Sequence, residues 1–174
     1  MLENLYFNKH KILEKSHQNL LKILSKNSDS HHLKIGCELE FFLLDKNKNK
    51  ISDNNLIDEF CNSVKGKREQ GEGQIEITTN FTDNLLNLAN EIESIKSKIH
   101  HFANQINCLA CFESKPFDDD CGSSLQFNIS LHDEKNYNIF NESLIAYCAN
   151  GLLDSSHFMM LILAPKLQDY RRFD

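Results

Sequence analysis

The sequence predicts one α+β domain in which an antiparallel sheet is covered by helices on one face. The chain has 174 residues, of which 40% are apolar, and this is enough for one buried core. Strand-like and helix-like segments alternate along the chain, and the strand-like segments carry apolar residues on only one face. Such one-sided strands are typical of antiparallel sheets.

The elements of the first half follow from the spacing of apolar residues. Apolar residues at helical spacing predict an amphipathic helix over residues 8–26. Residues 33–44 form a predicted strand, followed by a polar loop and a short helix over residues 56–64. A second strand is predicted over residues 73–79.

The second half continues this alternation. Thr82 and Asp83 are expected to open and cap a long helix whose apolar stripe runs to Ile106. Residues 107–114 should be extended, and residues 122–132 alternate strictly between polar and apolar side chains. The alternation points four apolar side chains inward: Leu125, Phe127, Ile129 and Leu131. Residues 139–163 are apolar on most sides and predict a largely buried helix that stops at Pro165.

Charge and hydropathy exclude several classes of partner. The formal net charge is -6 and no long run of Lys and Arg is present, which argues against a nucleic acid or an anionic lipid surface. The longest apolar run is far shorter than the roughly 20 residues of a membrane-spanning helix. We therefore expect a cytoplasmic protein without a membrane partner.

Acidic residues accumulate in two of the predicted strands. Glu38 and Glu40 lie two positions apart, so they share a face at a distance of about 6 to 7 Å. The segment EQGEGQIE contributes Glu69 and Glu76. Carboxylates crowded on neighbouring strands repel each other unless a cation compensates, and hard divalent cations favour such oxygen clusters. A solvated acidic face is the usual explanation of alternating Glu, so spacing leaves both interpretations open.

Four ordered segments resemble the glutamine synthetase family. IGCELEFFLLD is similar to the Gly-x-x-Glu-x-Glu-Phe-Phe-Leu strand of that family, and EQGEGQIEI to its Glu-x-x-x-Gly-Gln-x-Glu segment. KPFDDDCGSSLQFNISL is similar to its Lys-Pro, Gly-Ser-Gly and Ser-Leu stretch, and NGLLDSSHFMMLILAPKLQDYRRF to its Gly-Leu-Leu helix and following turn. The resemblance runs over most of the chain and implies a fold like the catalytic domain of that family.

The resemblance implies an ATP-dependent ligase that phosphorylates the γ-carboxylate of glutamate and lets ammonia displace the phosphate. Two or more Mg²⁺ or Mn²⁺ ions assist this chemistry by neutralising the transferring phosphoryl group. The family ligands of one ion match Glu40, Glu69 and Glu76 here, and Glu38 matches a ligand of the companion ion. Gln126 stands where the family has a His ligand for that companion ion.

Other positions match or depart from the family pattern. Gly122 and Arg172 match residues that bind the glutamate substrate, and Ser130 matches a residue of the nucleotide site. Asn128 replaces a His near the nucleotide phosphates, and Cys121 replaces an Asn that helps hold glutamate.

The resemblance also implies a domain organisation. Residues 1–32 resemble only the helix that connects a small β-grasp domain to the catalytic domain, and residues 33–174 resemble the first half of the catalytic domain. We therefore expect a truncated form with impaired or no activity by itself. The alternatives are a non-catalytic metal-binding remnant and one half of a split γ-glutamyl ligase. An incomplete sheet leaves an open edge and apolar surface, which favours a homo-oligomer or a complementary chain.

Overall fold

The computed structural model describes residues 31–172, together with residue 18. The helix predicted over residues 8–26 lies outside the described residues except for Gln18, which is helical. Five strands and three α-helices follow in the order β1, α1, β2, β3, α2, β4, β5, α3, and a short 3₁₀ helix comes last. The predicted α+β class, with an antiparallel sheet and helices on one face, is confirmed.

The strands form one antiparallel sheet around a long central strand. The strands are β1 (His31–Leu44), β2 (Lys67–Arg68), β3 (Gln74–Thr78), β4 (Leu109–Cys111) and β5 (Leu125–Asp133). One edge of β1 pairs with β3, which in turn pairs with β2. The other edge of β1 pairs with β5 along its first part and with β4 at its end.

Two helices cover the apolar face of the sheet. Helix α1 (Asn54–Val64) begins after Asp53, whose side chain accepts hydrogen bonds from the next turn. Helix α2 (Leu85–Gln105) buries Leu88, Ile99 and Ala103. Both helices pack on apolar side chains that alternate along β1 and β3, and these form the core: Ile35, Cys37, Leu39, Phe41, Leu43, Ile75 and Ile77.

Helix α2 does not begin where the sequence predicts. Its cap is Asn84, whose side chain accepts from the backbone N–H groups of Leu86 and Asn87. Thr82 instead exchanges two backbone hydrogen bonds with Ile35. The predicted cap was wrong because the backbone partner of Thr82 comes from β1, which local spacing does not reveal.

Helix α3 (Glu142–Leu163) ends just before Pro165, as expected, but its predicted burial is wrong. Most of its described apolar side chains are exposed, and Phe158 and Ile162 are each 80% accessible. Three of the four β5 side chains predicted to point inward, Leu125, Phe127 and Ile129, are 42–47% exposed, and the fourth, Leu131, is half-buried. Helices α1 and α2 pack over β1 and β3, so they leave these surfaces uncovered.

Candidate functional site

A polar face lies on the side of the sheet opposite α1 and α2. Glu40 of β1 is paired directly with Glu76 of β3, which is paired with Lys67 of β2. Glu38 lies between Thr78 and Gln126 in the same way. Because side chains alternate along each strand, these residues share one face. The polar face is defined here by the following residues: Glu38, Glu40, Lys67, Gln74, Glu76, Thr78, Ser124, Gln126 and Asn128.

Glu76 is the buried carboxylate of the polar face, only 5% exposed. The Nζ of Lys67 lies 2.9 Å from its Oε1, yet Oε1 accepts no hydrogen bond of acceptable geometry. The contact is therefore an ion pair by distance alone. This close contact with Glu76, together with the charges of Glu76, Glu38 and Glu69, raises the pKa of Lys67 although desolvation opposes the change. The fields of these three carboxylates thus converge at the Lys67 ammonium.

The two carboxylates of β1 are held by donors from β5 and the segment before it. Oε2 of Glu40 accepts from the backbone N–H of Ser124 at 2.9 Å. Oε1 of Glu38 accepts from Nδ2 of Asn128 at 2.8 Å. Both carboxylates are half-buried, so each of these neutral donors offsets part of their desolvation.

Glu69 is positioned by a tight turn between β2 and β3. Its backbone N–H donates to the carbonyl of Gln74 at 3.0 Å, and the Gln74 N–H donates to the carbonyl of Gly71 at 3.0 Å. Gly73 has φ +74°, a conformation that favours glycine. At Gly71, a Cβ atom would lie 2.7 Å from Sγ of Cys121 and 2.9 Å from the Phe42 ring. The turn is therefore packed too tightly for a side chain at this position.

Gln74 joins this turn to the loop that contains Gly122. Its Oε1 accepts from the Gly71 N–H at 3.0 Å and from the Cys121 thiol at 2.8 Å. Its Nε2 donates to the Gly122 carbonyl at 3.0 Å and contacts the Ser123 hydroxyl at 3.3 Å. Gln74 is only 2% exposed. Sequence reasoning missed this role of Gln74, for which the only signal was a polar side chain inside a strand.

The remaining predicted residues are more dispersed. Gln126 is exposed on β5, two positions before Asn128. The hydroxyl of Ser130 lies 2.9 Å from Nε2 of His132, further along the same strand. Arg172 is the last residue of the 3₁₀ helix Leu167–Arg172.

The chemistry of the donor set fits a hard divalent cation, but the side chains are not arranged around one. Carboxylate oxygens are the ligands that Mg²⁺ and Mn²⁺ prefer, and the buried Oε1 of Glu76 has unused acceptor capacity. Across residues 31–172, however, no group of three or more His, Cys, Asp or Glu side chains is positioned to hold an ion. A cation shared by Glu40, Glu69 and Glu76 therefore requires these side chains to rearrange.

A cavity of about 720 Å³ opens beside Glu40. Its polar lining includes Ser114 and Ser124, two cationic side chains, Lys96 and Lys166, and three anionic side chains, Glu40, Glu113 and Asp169. The apolar lining comes from β5 and the end of α3. This volume is in the range of small-molecule sites. A second cavity, of about 430 Å³, lies between β4 and α2 and contains none of the predicted site residues.

In the part of the chain that the structure describes, no helix is long and apolar enough to cross a membrane.

Comparison with known proteins identifies the family. The model of the glutamine synthetase catalytic domain matches residues 61–174. Among curated proteins, γ-glutamylputrescine synthetase PuuA of Escherichia coli (strain K12) is 28% identical over 111 residues, which are 60% of this chain and 24% of PuuA. The chain thus spans about a quarter of the length of this relative.

Solved structures show the same fold. A GmaS–ADP complex and the glutamine synthetase of Plasmodium falciparum each superpose with a TM-score of 0.72 at 20% sequence identity. Each superposition covers 92% of this chain, but only 44% of the GmaS chain and 42% of the Plasmodium chain. The likeness shows the fold, and the catalytic-domain match covers more than half of the sequence. The chain therefore belongs to the glutamine synthetase family of γ-glutamyl ligases.

Proposed function

We propose that this chain supplies the acidic, cation-binding wall of an ATP-dependent site that forms γ-glutamyl amides. The observation that carries the proposal is the strand register, which puts Glu40 directly opposite Glu76 with Glu38 beside them. Family membership adds the reaction class, which is amide formation on the γ-carboxylate of glutamate with ammonia or another amine.

In this proposal Glu40, Glu69 and Glu76 hold one Mg²⁺ or Mn²⁺ ion, and Glu38 contributes to a second ion with Gln126 nearby. The bound cations would supply charge neutralisation for the transferring phosphoryl group. The task of the chain is to keep the carboxylates on one face. It does so by pairing the β1 and β3 backbones and by burying Glu76.

Other residues have proposed roles in binding and positioning. Gly122 and Arg172 bind the glutamate substrate, and Ser130 contacts the nucleotide. Gln74 is a positioning residue, because its hydrogen bonds link the turn that contains Glu69 to the loop that contains Gly122.

We further propose that the 174-residue chain by itself has impaired or no activity. Two positions at which the family has His are amides here, Gln126 and Asn128. An amide oxygen is a weaker ligand than a carboxylate and lacks the preference of imidazole for transition metals, and loss of one charge-stabilising group commonly lowers rates by about 10² to 10³.

A second candidate, a non-catalytic metal-binding remnant, is favoured by one specific contact. Asn128 donates to Glu38 at 2.8 Å, so the residue that replaces a family His occupies the carboxylate expected to hold the second ion. Titration of the chain with ATP in the presence of Mg²⁺ separates the two candidates. A ligase, whole or split, requires nucleotide binding by the chain or by its mixture with a complementary chain, and the remnant does not.

The exposed apolar surfaces of β5 and α3 support a partner for this chain. We propose that residues 33–174 form part of a catalytic domain, that residues 1–32 form its connecting helix, and that a homo-oligomer or a complementary chain covers the apolar surface. A solution mass above that of the 20.1 kDa monomer would support the homo-oligomer, and a monomer that stays soluble and folded would argue against any requirement for a partner.

The metal site is tested by thermal unfolding with and without Mn²⁺. A ligand present at 100 times its Kd stabilises the folded state by about 2.7 kcal/mol, which corresponds to a rise of about 5 to 10 °C for a domain of this size. Glu76→Gln should abolish the rise, whereas Glu59→Gln, an exposed position on α1, should preserve it. An unchanged melting temperature of the unmodified chain with saturating Mn²⁺ would contradict the proposal.

A further inference from the structure

The ammonium group of Lys67 lies among the carboxylates of the polar face. Its Nζ lies 2.9 Å from Oε1 of Glu76, and in the strand register Lys67, Glu76 and Glu40 follow one another across three strands. The buried Oε1 has no hydrogen-bond partner, so the ammonium is the positive charge in contact with it.

The strand that carries Lys67 is fixed independently of this contact. Arg68, its neighbour in β2, points to the opposite side, where its Nε donates to Asp58 of α1 at 2.7 Å. Lys67 is therefore presented to the polar face by alternation along β2. Its side chain is 65% exposed, whereas that of Glu76 is 6% exposed. The lysine can swing into solvent, but the carboxylate cannot.

We propose that Lys67 is a built-in counter-ion of the polar face, and that a divalent cation at Glu76 competes with the Lys67 ammonium. When both cations contact one carboxylate their positive charges repel each other, because the ammonium lies only 2.9 Å from Oε1 and a metal–oxygen bond is shorter still. Occupation by Lys67 keeps the buried carboxylate paired when no metal is bound, and it weakens the affinity for the metal. This inference rests on the proposed cation site.

The proposal also explains why the side chains are not arranged around a metal. With Lys67 on Glu76, Ser124 on Glu40 and Asn128 on Glu38, these three carboxylates each have a partner from the protein. Removal of the positive charge from Lys67 leaves the buried Glu76 carboxylate without a counter-ion, and this should raise its affinity for a divalent cation.

The test measures Mn²⁺ affinity by the loss of the electron paramagnetic resonance signal of free Mn²⁺. Lys67→Met and Lys67→Gln should each bind Mn²⁺ at least about tenfold more tightly than the unmodified chain, which corresponds to about 1.4 kcal/mol. Lys67→Arg keeps the charge and should keep the weaker affinity. Lys98→Met removes the same charge from an exposed position on α2, on the other side of the sheet, and should leave the affinity unchanged.

The outcomes separate this inference from the proposed function. If the unmodified chain binds Mn²⁺, Glu76→Gln does not, and the neutral Lys67 variants bind with unchanged Kd, the counter-ion role is refuted and the metal site stands. If neither the unmodified chain nor a neutral Lys67 variant binds Mn²⁺, both are refuted. The second neutral variant guards against a folding defect in the first, and circular dichroism of each variant confirms the fold.

Discussion

Substitution of Gln74 by Met tests how the two loops of the candidate site are held together. The change preserves the length of the side chain but removes its amide. It leaves the buried Gly71 N–H and the Gly122 carbonyl without the partners that they have at 3.0 Å, and it also removes the weaker contacts with Cys121 and Ser123.

The magnitude follows from these contacts. A hydrogen bond contributes about 0.5 to 1.5 kcal/mol net, and a buried donor left unsatisfied costs about 1 to 3 kcal/mol. Four contacts of unequal quality, one of them to a thiol, therefore predict a loss of about 3 kcal/mol in the free energy of unfolding. With a urea m-value of about 2 kcal/mol/M, the midpoint should fall by about 1.5 M.

The assay is equilibrium unfolding in urea, followed by circular dichroism. Gln105→Met, at an exposed position at the end of α2, is the matched control and should change stability by less than about 0.5 kcal/mol. A loss below about 1 kcal/mol for Gln74→Met would refute the view that this side chain organises the two loops.

Three further predictions concern the core, the acidic loop and the thiols. Phe41→Ala should lower the free energy of unfolding by about 3 to 5 kcal/mol, because Phe41 is fully buried and its ring lies 5.2 Å from that of Phe112. Phe81→Ala, at a 64% exposed position, should lower it much less in the same urea assay. Burial alone would raise the pKa of Asp120, but hydrogen bonds from Lys50 and from the Cys121 backbone lower it below its usual value. The stabilising contribution of the Asp120 carboxylate is therefore present above about pH 4 and is lost as the pH falls through the lowered pKa. In Asp120→Asn the melting temperature should therefore decrease less steeply below pH 4. An equally steep decrease in the variant would contradict a stabilising role of the Asp120 carboxylate. Burial, and to a lesser extent the charge of Glu91, raises the pKa of Cys37 to about 11. A thiol reagent at pH 8 should therefore label the exposed Cys148 long before Cys37, as measured by peptide mass spectrometry. Equal labelling rates would show that the burial of Cys37 is not maintained in solution.

The elements that the sequence predicted well are those whose pattern is local. Residues 33–41 of β1 and the whole of β3 carry apolar side chains at alternate positions, and α1 and α2 have apolar residues at helical spacing. Their existence follows from periodicity. The cap of α2 could not be predicted in this way, because Thr82 is paired with Ile35 from a distant strand.

Burial was the property that periodicity misjudged. The alternation of Leu125, Phe127 and Ile129 shows that β5 has one apolar face, but it does not show whether another element covers that face. Phe158 and Ile162 of α3 present the same problem. An apolar pattern identifies a surface that is suited to burial. Whether another element covers that surface depends on the tertiary structure.

The carboxylates of the candidate site could be placed on strands from their spacing, but their partners could not. Lys67, Ser124 and Asn128 come from three different segments and meet Glu76, Glu40 and Glu38 only through the sheet register. The resemblance to the glutamine synthetase family supplied the expected ligand roles, and it gave no indication of a lysine on Glu76.

The position of Mn²⁺ in a crystal of this chain, located by its anomalous scattering, decides whether Glu40 and Glu76 share an ion. We expect one strong anomalous peak at coordination distance from carboxylate oxygens of both Glu40 and Glu76, with the Lys67 side chain moved away from Glu76. A peak bound elsewhere, or no peak with Lys67 still in contact with Glu76 at saturating Mn²⁺, would contradict it.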